Sequence, residues 1–255
     1  PRSTLFPYTT LFRSGNCKNV YREEKCVYKY QCVDQILSEI LETYFERTKE
    51  NVMKSVKKEF VKIIAIYSPI HRVGKTSFAI AFGKELAKFK KVLYLNMEEY
   101  FGYGEMFEQI DNGNLGDALY YTKQENSNFG LRLRMLVRTI DELDYIPPMP
   151  VSLDLKEVLW EEWKVLFKQI VEDSVYEVIL LDIGESVQGL LKMLDLCDRI
   201  YMPVLEDDVS QEKMRQYEEN LQKLQLERLM EKTYMFIGLQ DIENKMRQLV
   251  KEEVL

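Results

Sequence analysis

The sequence predicts an α/β fold of three layers, a mostly parallel sheet with helices on both faces. Three observations predict it. Apolar, branched runs recur at 61–67 (VKIIAIY), 91–96 (KVLYLN), 143–146 (LDYI), 176–183 (YEVILLDI), 199–204 (RIYMPV) and 233–239 (TYMFIGL). Runs with no polar face read as strands covered on both sides. Between them lie stretches of helical spacing, clearest at 76–89, 131–143, 155–172, 186–196, 210–230 and 241–253. Finally, Gly74-Lys75-Thr76 falls where the first of these strands gives way to the first helix.

The run 61–67 opens this series. Phe78, Ala79, Phe82, Leu86 and Phe89 mark the buried side of the helix that follows. Tyr145 to Pro150 reads as a strand leaving into a stiff turn, because each proline fixes φ and removes a donor. Trp160 and Trp163 share one helix and read as core. The last helix carries the stripe Ile242, Met246, Leu249, Val250 and Val254. Its polar face holds three positive and four negative side chains, where membrane-surface helices favour a basic face. Docking on its own domain is therefore expected over membrane binding.

Bulk properties narrow the function classes. Of the 255 residues, 46% are hydrophobic and 30% charged, an ordinary composition for a folded domain with a sizeable core. The net charge of −7 argues against a strong, sequence-independent grip on nucleic acid. Cys17, Cys26, Cys32 and Cys197 show no C-x-x-C spacing, and His71 is the only histidine. They read as idle thiols of a reducing compartment, so a cytoplasmic location is expected. No apolar run approaches the roughly 18 residues of a membrane span.

Thr4 to Ser14 (TLFPYTTLFRS) reads as the translation of a sequencing-adaptor oligonucleotide, so residues 1–14 are expected to be an artefact and the natural chain to extend further upstream. Residues 25–30 look like a strand, and Val33, Ile36, Leu37, Ile40, Leu41 and Tyr44 form an apolar stripe on a helix from about 33 to 46. Residues 15–47 resemble the last strand and helix of a receiver-like domain, with Lys29 at the strand end. A lysine-rich linker is expected over 48–60 and the main domain over 61–255.

The turn Ser68-Pro69-Ile70-His71-Arg72-Val73-Gly74-Lys75-Thr76-Ser77 has the strand-turn-helix setting of a phosphate-binding loop. Backbone N–H groups from Arg72 to Ser77 would point at an anionic phosphate. Lys75 would meet the β/γ-phosphates, and the Thr76 hydroxyl would ligate Mg²⁺. Pro69 stands where the general G-x-x-x-x-G-K-[ST] pattern has glycine. Asp182, at the tip of an apolar strand, is the candidate to hold the water shell of that ion; a helix cap or solvated strand end is the alternative.

The order of phosphate loop, acids after the second strand (Asn96-Met97-Glu98-Glu99), Asp182 and Cys197 to Val204 is similar to the ParA/MinD-type P-loop ATPases. Together with the receiver-like piece it resembles the CpaE/TadZ branch. The resemblance implies ATP and Mg²⁺ as cofactors and a homodimer formed through the nucleotide face. It also implies slow hydrolysis and protein partners in a localisation, pilus or secretion system. Glu98 matches the acid that orients the attacking water. The family's signature lysine falls at Ile70, its two glycines at His71 and Arg72, and its first acid at Asn96. Arg72 is either a stand-in for that lysine, neutralising phosphate charge, or a surface arginine paired with a carboxylate. The competing functional reading is a scaffold on the same fold that binds ATP without turnover, or no nucleotide; a small-molecule kinase ranks last.

Overall fold

The computed structural model describes residues 11–13, 26–28, 60–102, 113–124, 129–237 and 242–254. Two compact units divide at Lys57/Lys58. In the first, β1 (Leu11–Arg13) pairs in parallel with β2 (Cys26–Tyr28). β2 falls within the strand read at 25–30, and β1 within the segment read as adaptor-derived. Lys29, the helix expected over 33–46 and the linker up to residue 59 lie outside the described residues.

The second unit runs β3 (Lys62–Ile66), α1 (Lys75–Ala87), β4 (Val92–Met97), α2 (Leu115–Thr122), α3 (Phe129–Leu136), β5 (Arg138–Ile140) and β6 (Leu143–Ile146). It continues with α4 (Ser152–Glu157), α5 (Trp160–Asp173), β7 (Val178–Ile183), α6 (Leu190–Leu196) and β8 (Arg199–Val204). It ends with α7 (Asp208–Lys223), α8 (Arg228–Glu231), β9 (Thr233–Ile237) and α9 (Ile242–Val254). The seven strands order as β5-β6-β4-β7-β3-β8-β9, with only β5 antiparallel to its neighbour. β7 therefore sits between β3 and β4, and the chain passes over its slot on the way from one to the other. Every parallel strand ends on the same edge of the sheet, so the loops after β3, β4, β6, β7 and β8 share that edge.

All six side chains of β4 and all six of β7 are buried, which is why these strands show no alternation in the sequence. The two faces divide by the strand period of two. Ile64, Ile66, Tyr94 and Leu180 pack with Phe78, Phe82 and Leu86 of α1 and with Met246, Leu249 and Val250 of α9. Ala65, Leu93, Leu95 and Leu181 pack on the other face, with Trp163, Leu166 and Phe167 of α5, Met193 of α6 and Leu221 of α7. Trp163 is core, as its helical spacing suggests. Gly130 lets α3 touch α5: an added Cβ would lie 2.2 Å from the Asp173 carbonyl oxygen.

Several boundaries differ from the sequence reading. The helix expected over 131–143 stops at Leu136, and the chain turns back through the hairpin β5–β6. Its two-residue turn, Asp141-Glu142, has φ of 45° and 69°. Such turns normally advertise themselves with Asn-Gly, so Asp-Glu gave no signal. The stretch 155–172 breaks at Val158 and Leu159, both extended. The stretch 210–230 breaks after Lys223, with Gln225 at φ 57°. Helix α2 was not expected; Asn114 and Asp117 form its capping box, each accepting a backbone N–H of the other's turn. Phe89 is exposed, because α1 ends two residues earlier.

The C-terminal helix docks on α1 and the sheet. The Glu253 carboxylate is buried, accepts a hydrogen bond from the Tyr201 hydroxyl (2.6 Å), and pairs with the Lys62 ammonium (3.0 Å). Leu249 is fully packed in this layer. Leu249→Ala should cost about 2–4 kcal/mol, the usual penalty for a cavity of that size. A urea titration would read it as a lower midpoint at unchanged slope; an unaltered midpoint would mean that α9 does not add to the stability of the domain.

Candidate functional site

Backbone conformation at the end of β3 comes first. Gly74 caps α1 at φ 79° and Arg72 lies at φ 59°, both left-handed. Glycine suits such angles, while arginine there is strained. Two side chains anchor the turn from beneath: Ile70 and Val73 are buried in the core. The Ser68 hydroxyl accepts the Ile70 N–H at 3.1 Å. Of Val73, only the backbone is thus positioned to meet a ligand. Gly74 brings no side-chain cap to α1, so the first-turn N–H groups keep the positive end of the helix open to an anion.

Lys75 starts α1 and turns back over the strand ends. Its ammonium donates to the Ile183 carbonyl oxygen at 3.0 Å and pairs with the Glu98 carboxylate at 2.6 Å. The Tyr67 ring lies 5.8 Å from it. Glu98 is placed by its own N–H, which donates to the Asn96 side-chain oxygen at 3.0 Å. Gly184 makes this approach possible: a Cβ there would lie 3.0 Å from the Met97 carbonyl oxygen and 3.1 Å from a Glu98 carboxylate oxygen.

Asp182 is fully buried, opposite Ile66 of β3 on one side and Asn96 of β4 on the other. The Tyr94 hydroxyl donates to its Oδ2 at 3.0 Å, and the Asn96 amide reaches the same oxygen at 3.4 Å and the Tyr94 oxygen at 2.9 Å. Burial drives its pKa from the usual carboxylate range up to about 6. The nearby Thr76 hydroxyl, Lys75 and Tyr94 oppose that rise, and Glu98 adds to it. Burial and the adjacent Asp182 likewise hold the Tyr94 hydroxyl well above its ordinary pKa. Asp182 Oδ1 has no hydrogen-bond partner among the described residues. A buried carboxylate oxygen left unpaired is costly, and a hydrated divalent cation beside the Thr76 hydroxyl is the chemistry that would satisfy it. No group of three or more His, Cys, Asp or Glu able to hold a metal occurs among the described residues.

The start of α1 and the carboxyl ends of β4 and β7 thus bring Lys75, Thr76, Glu98 and Asp182 together. Ser77 and Arg72 are exposed at the rim. Arg72 makes no ion pair or hydrogen bond among the described residues, so the carboxylate partner weighed for it is not seen there. His71 faces Glu185 across 3.4 Å at the surface. The sequence reading missed Tyr94, Gly184 and the Ile183 carbonyl. A tyrosine two residues before Asn96 in an otherwise apolar strand was the one available signal.

No protein-family model matches the chain, and neither does any curated protein. Solved structures do. A ParA family ATPase from Chlorobium tepidum TLS superposes with a TM-score of 0.56 at 15% identity, over 74% of this chain and 81% of that one. A putative plasmid partition protein from Borrelia burgdorferi B31, bound to AMPPNP, gives 0.54 at 21%, over 76% and 84%. The MinC:MinD cell division protein complex of Aquifex aeolicus gives 0.50 at 17%, over 73% and 78%.

The fold is that of the ParA and MinD ATPases.

Within this ParA/MinD-like fold the departures noted in the sequence acquire a physical meaning. Ile70, where the signature lysine would stand, is a core anchor and cannot reach outward. Asn96, where the first acid would stand, lies beside the buried Asp182. A second carboxylate there would be repelled, whereas the amide donates to Asp182.

The raised pKa of Asp182 makes stability depend on pH. The folded state holds this proton more tightly than the unfolded chain, so its penalty is absent below about pH 4, grows towards pH 6 and is complete above it. Asp182→Asn should therefore stabilise the protein at pH 7.5 by on the order of 2–3 kcal/mol. The gain should fade near pH 4, read by melting temperature across pH. A gain independent of pH would show that Asp182 does not carry the buried charge.

Proposed function

We propose that the protein is a nucleotide-switched ATPase of the ParA/MinD kind. It binds Mg-ATP at the turn after β3, dimerises through that face and recruits protein partners. The observation that carries this reading is the convergence on a left-handed turn of one lysine, one hydroxyl and a buried aspartate with an unpaired oxygen. In this reading Lys75 and the N–H groups of residues 72–77 hold the phosphates. Thr76 and Asp182 hold Mg²⁺, which would neutralise phosphate charge. Glu98 orients the attacking water, and Arg72 lies at the rim, where a guanidinium meets phosphate oxygens in a planar fork.

Dimerisation through the same edge has its own support. Tyr100 after β4, Val151 and Leu153 after β6, and Leu205 and Val209 after β8 are all exposed apolar side chains on segments that follow the strands' carboxyl ends. No described helix is long and apolar enough to cross a membrane, and we place the protein in the cytoplasm. The CpaE/TadZ-like assignment, with pilus or secretion machinery as the partner system, rests on the receiver-like residues 15–47.

Slow turnover, on the order of once per minute or less against the 1–100 s⁻¹ of kinases, fits a site without an outward signature lysine and with Asn96 in place of an acid. Those same two residues favour the second reading, a scaffold that binds without hydrolysing. Phosphate release measured beside ATP binding separates the two.

Mg-ATP should raise the melting temperature, and Lys75→Ala should abolish the shift. A ligand restricted to the native state adds about 2.7 kcal/mol at a hundredfold excess over Kd. No shift at millimolar ATP would leave the scaffold reading without nucleotide.

Arg72→Ala should erase any preference for ATP over ADP, and with it any ATP-dependent dimer, while ADP affinity stays near that of wild type. Arg72→Lys should restore it only in part. Light scattering with ATP, ADP and no nucleotide is the measurement. Identical behaviour of all three proteins would remove Arg72 from the site.

A further inference from the structure

The ammonium of Lys75 is already engaged. Glu98 and the Ile183 carbonyl oxygen hold it at 2.6 and 3.0 Å, and the side chains of the pair are only 12% and 23% exposed. A charge-assisted contact of that length, shielded from water, is much stronger than a surface ion pair. The geometry around it is built for the contact. Asn96 fixes the backbone of Glu98, Gly184 leaves room where a Cβ would crowd the Glu98 carboxylate, and one oxygen of Asp182 is held by Tyr94 and Asn96. Among the described residues, Glu98 is the carboxylate that forms an ion pair with the lysine.

We infer that Glu98 is a resident anion of the phosphate site, clamping Lys75 until an incoming phosphate group displaces it. This rests on the nucleotide reading above and adds to it: binding becomes an exchange of one anion for another on a single ammonium. The exchange has two consequences. Part of the phosphate's interaction with Lys75 is spent on breaking the existing pair, so affinity is held down. The same event frees the carboxylate of Glu98, so the group that would orient water is released only when a phosphate is in place. Resting and loaded states of the site are then coupled through one side chain.

The experiment compares wild type, Glu98→Gln and Glu99→Gln. The Glu99 carboxylate pairs with Lys156 instead, at 3.1 Å, so its variant removes the same charge without touching the clamp. Lys75 is followed in the unliganded proteins by its rate of acetylation with an amine-reactive ester, read by peptide mass spectrometry. Binding of Mg-ATP, Mg-ADP and inorganic phosphate is measured by calorimetry.

Glu98→Gln should label several-fold faster at Lys75. It should bind both nucleotides about tenfold more tightly, the scale of one charge-assisted hydrogen bond, while hydrolysis falls. Glu99→Gln should match wild type in labelling, in binding and in hydrolysis, the last followed by phosphate release. Equal labelling of Lys75 in Glu98→Gln and wild type, or nucleotide affinity unchanged or weakened in Glu98→Gln, overturns the clamp and leaves the nucleotide reading intact. Affinity raised equally in Glu99→Gln also overturns it, in favour of a general charge effect. Failure of wild type and both variants alike to bind either nucleotide overturns the clamp and the nucleotide reading together.

Discussion

One carboxylate organises the site: Asp182, set at zero exposure near the carboxyl end of the central strand β7. A charge placed there has lost its water, and the neighbouring strands are arranged to compensate. β4 contributes the Tyr94 hydroxyl and the Asn96 amide to one oxygen. From the turn after β3 come the opposing charge of Lys75 and the hydroxyl of Thr76. The second oxygen stays without a donor among the described residues. This arrangement exists only because β7 lies between β3 and β4, so that register, more than proximity in sequence, assembles the set.

The turn after β3 shows how strain and anchoring are balanced. Arg72 in a left-handed conformation costs about 1 kcal/mol or more. Burial of Ile70 and Val73, on either side of it, offsets that cost. Ile70 is thus a residue that holds the turn down, and Arg72 lies exposed beside it.

Much of this was legible in the chain. The strand runs at 143–146 and 199–204 coincide with β6 and β8, because buried parallel strands are continuous blocks of branched and aromatic residues. Gly74-Lys75-Thr76 between strand and helix announced the cradle. Less legible were helix breaks with no glycine or proline to announce them. The Asp141-Glu142 hairpin turn, the break at Val158-Leu159 and the left-handed Gln225 each divided a stretch whose apolar spacing still read as helical.

The sequence by itself determined the α/β layering, the strand-turn-helix setting of Lys75 and Thr76, and the nomination of Asp182, since these follow from local patterns, while Glu98 was nominated by the resemblance to the ParA/MinD-type ATPases. Tertiary structure alone decided what these side chains do to one another. Lys75 meets Glu98 because α1 begins where β4 ends, on one edge of the sheet, and Gly184, 86 residues further along from Glu98, leaves room between them. Tyr94 and Asn96 meet Asp182 because β4 pairs with β7, a contact between residues more than 80 positions apart. Hydrophobic periodicity reports which face of an element is buried. It carries no information about which strand lies beside it, and the electrostatics of this site are set by that neighbour.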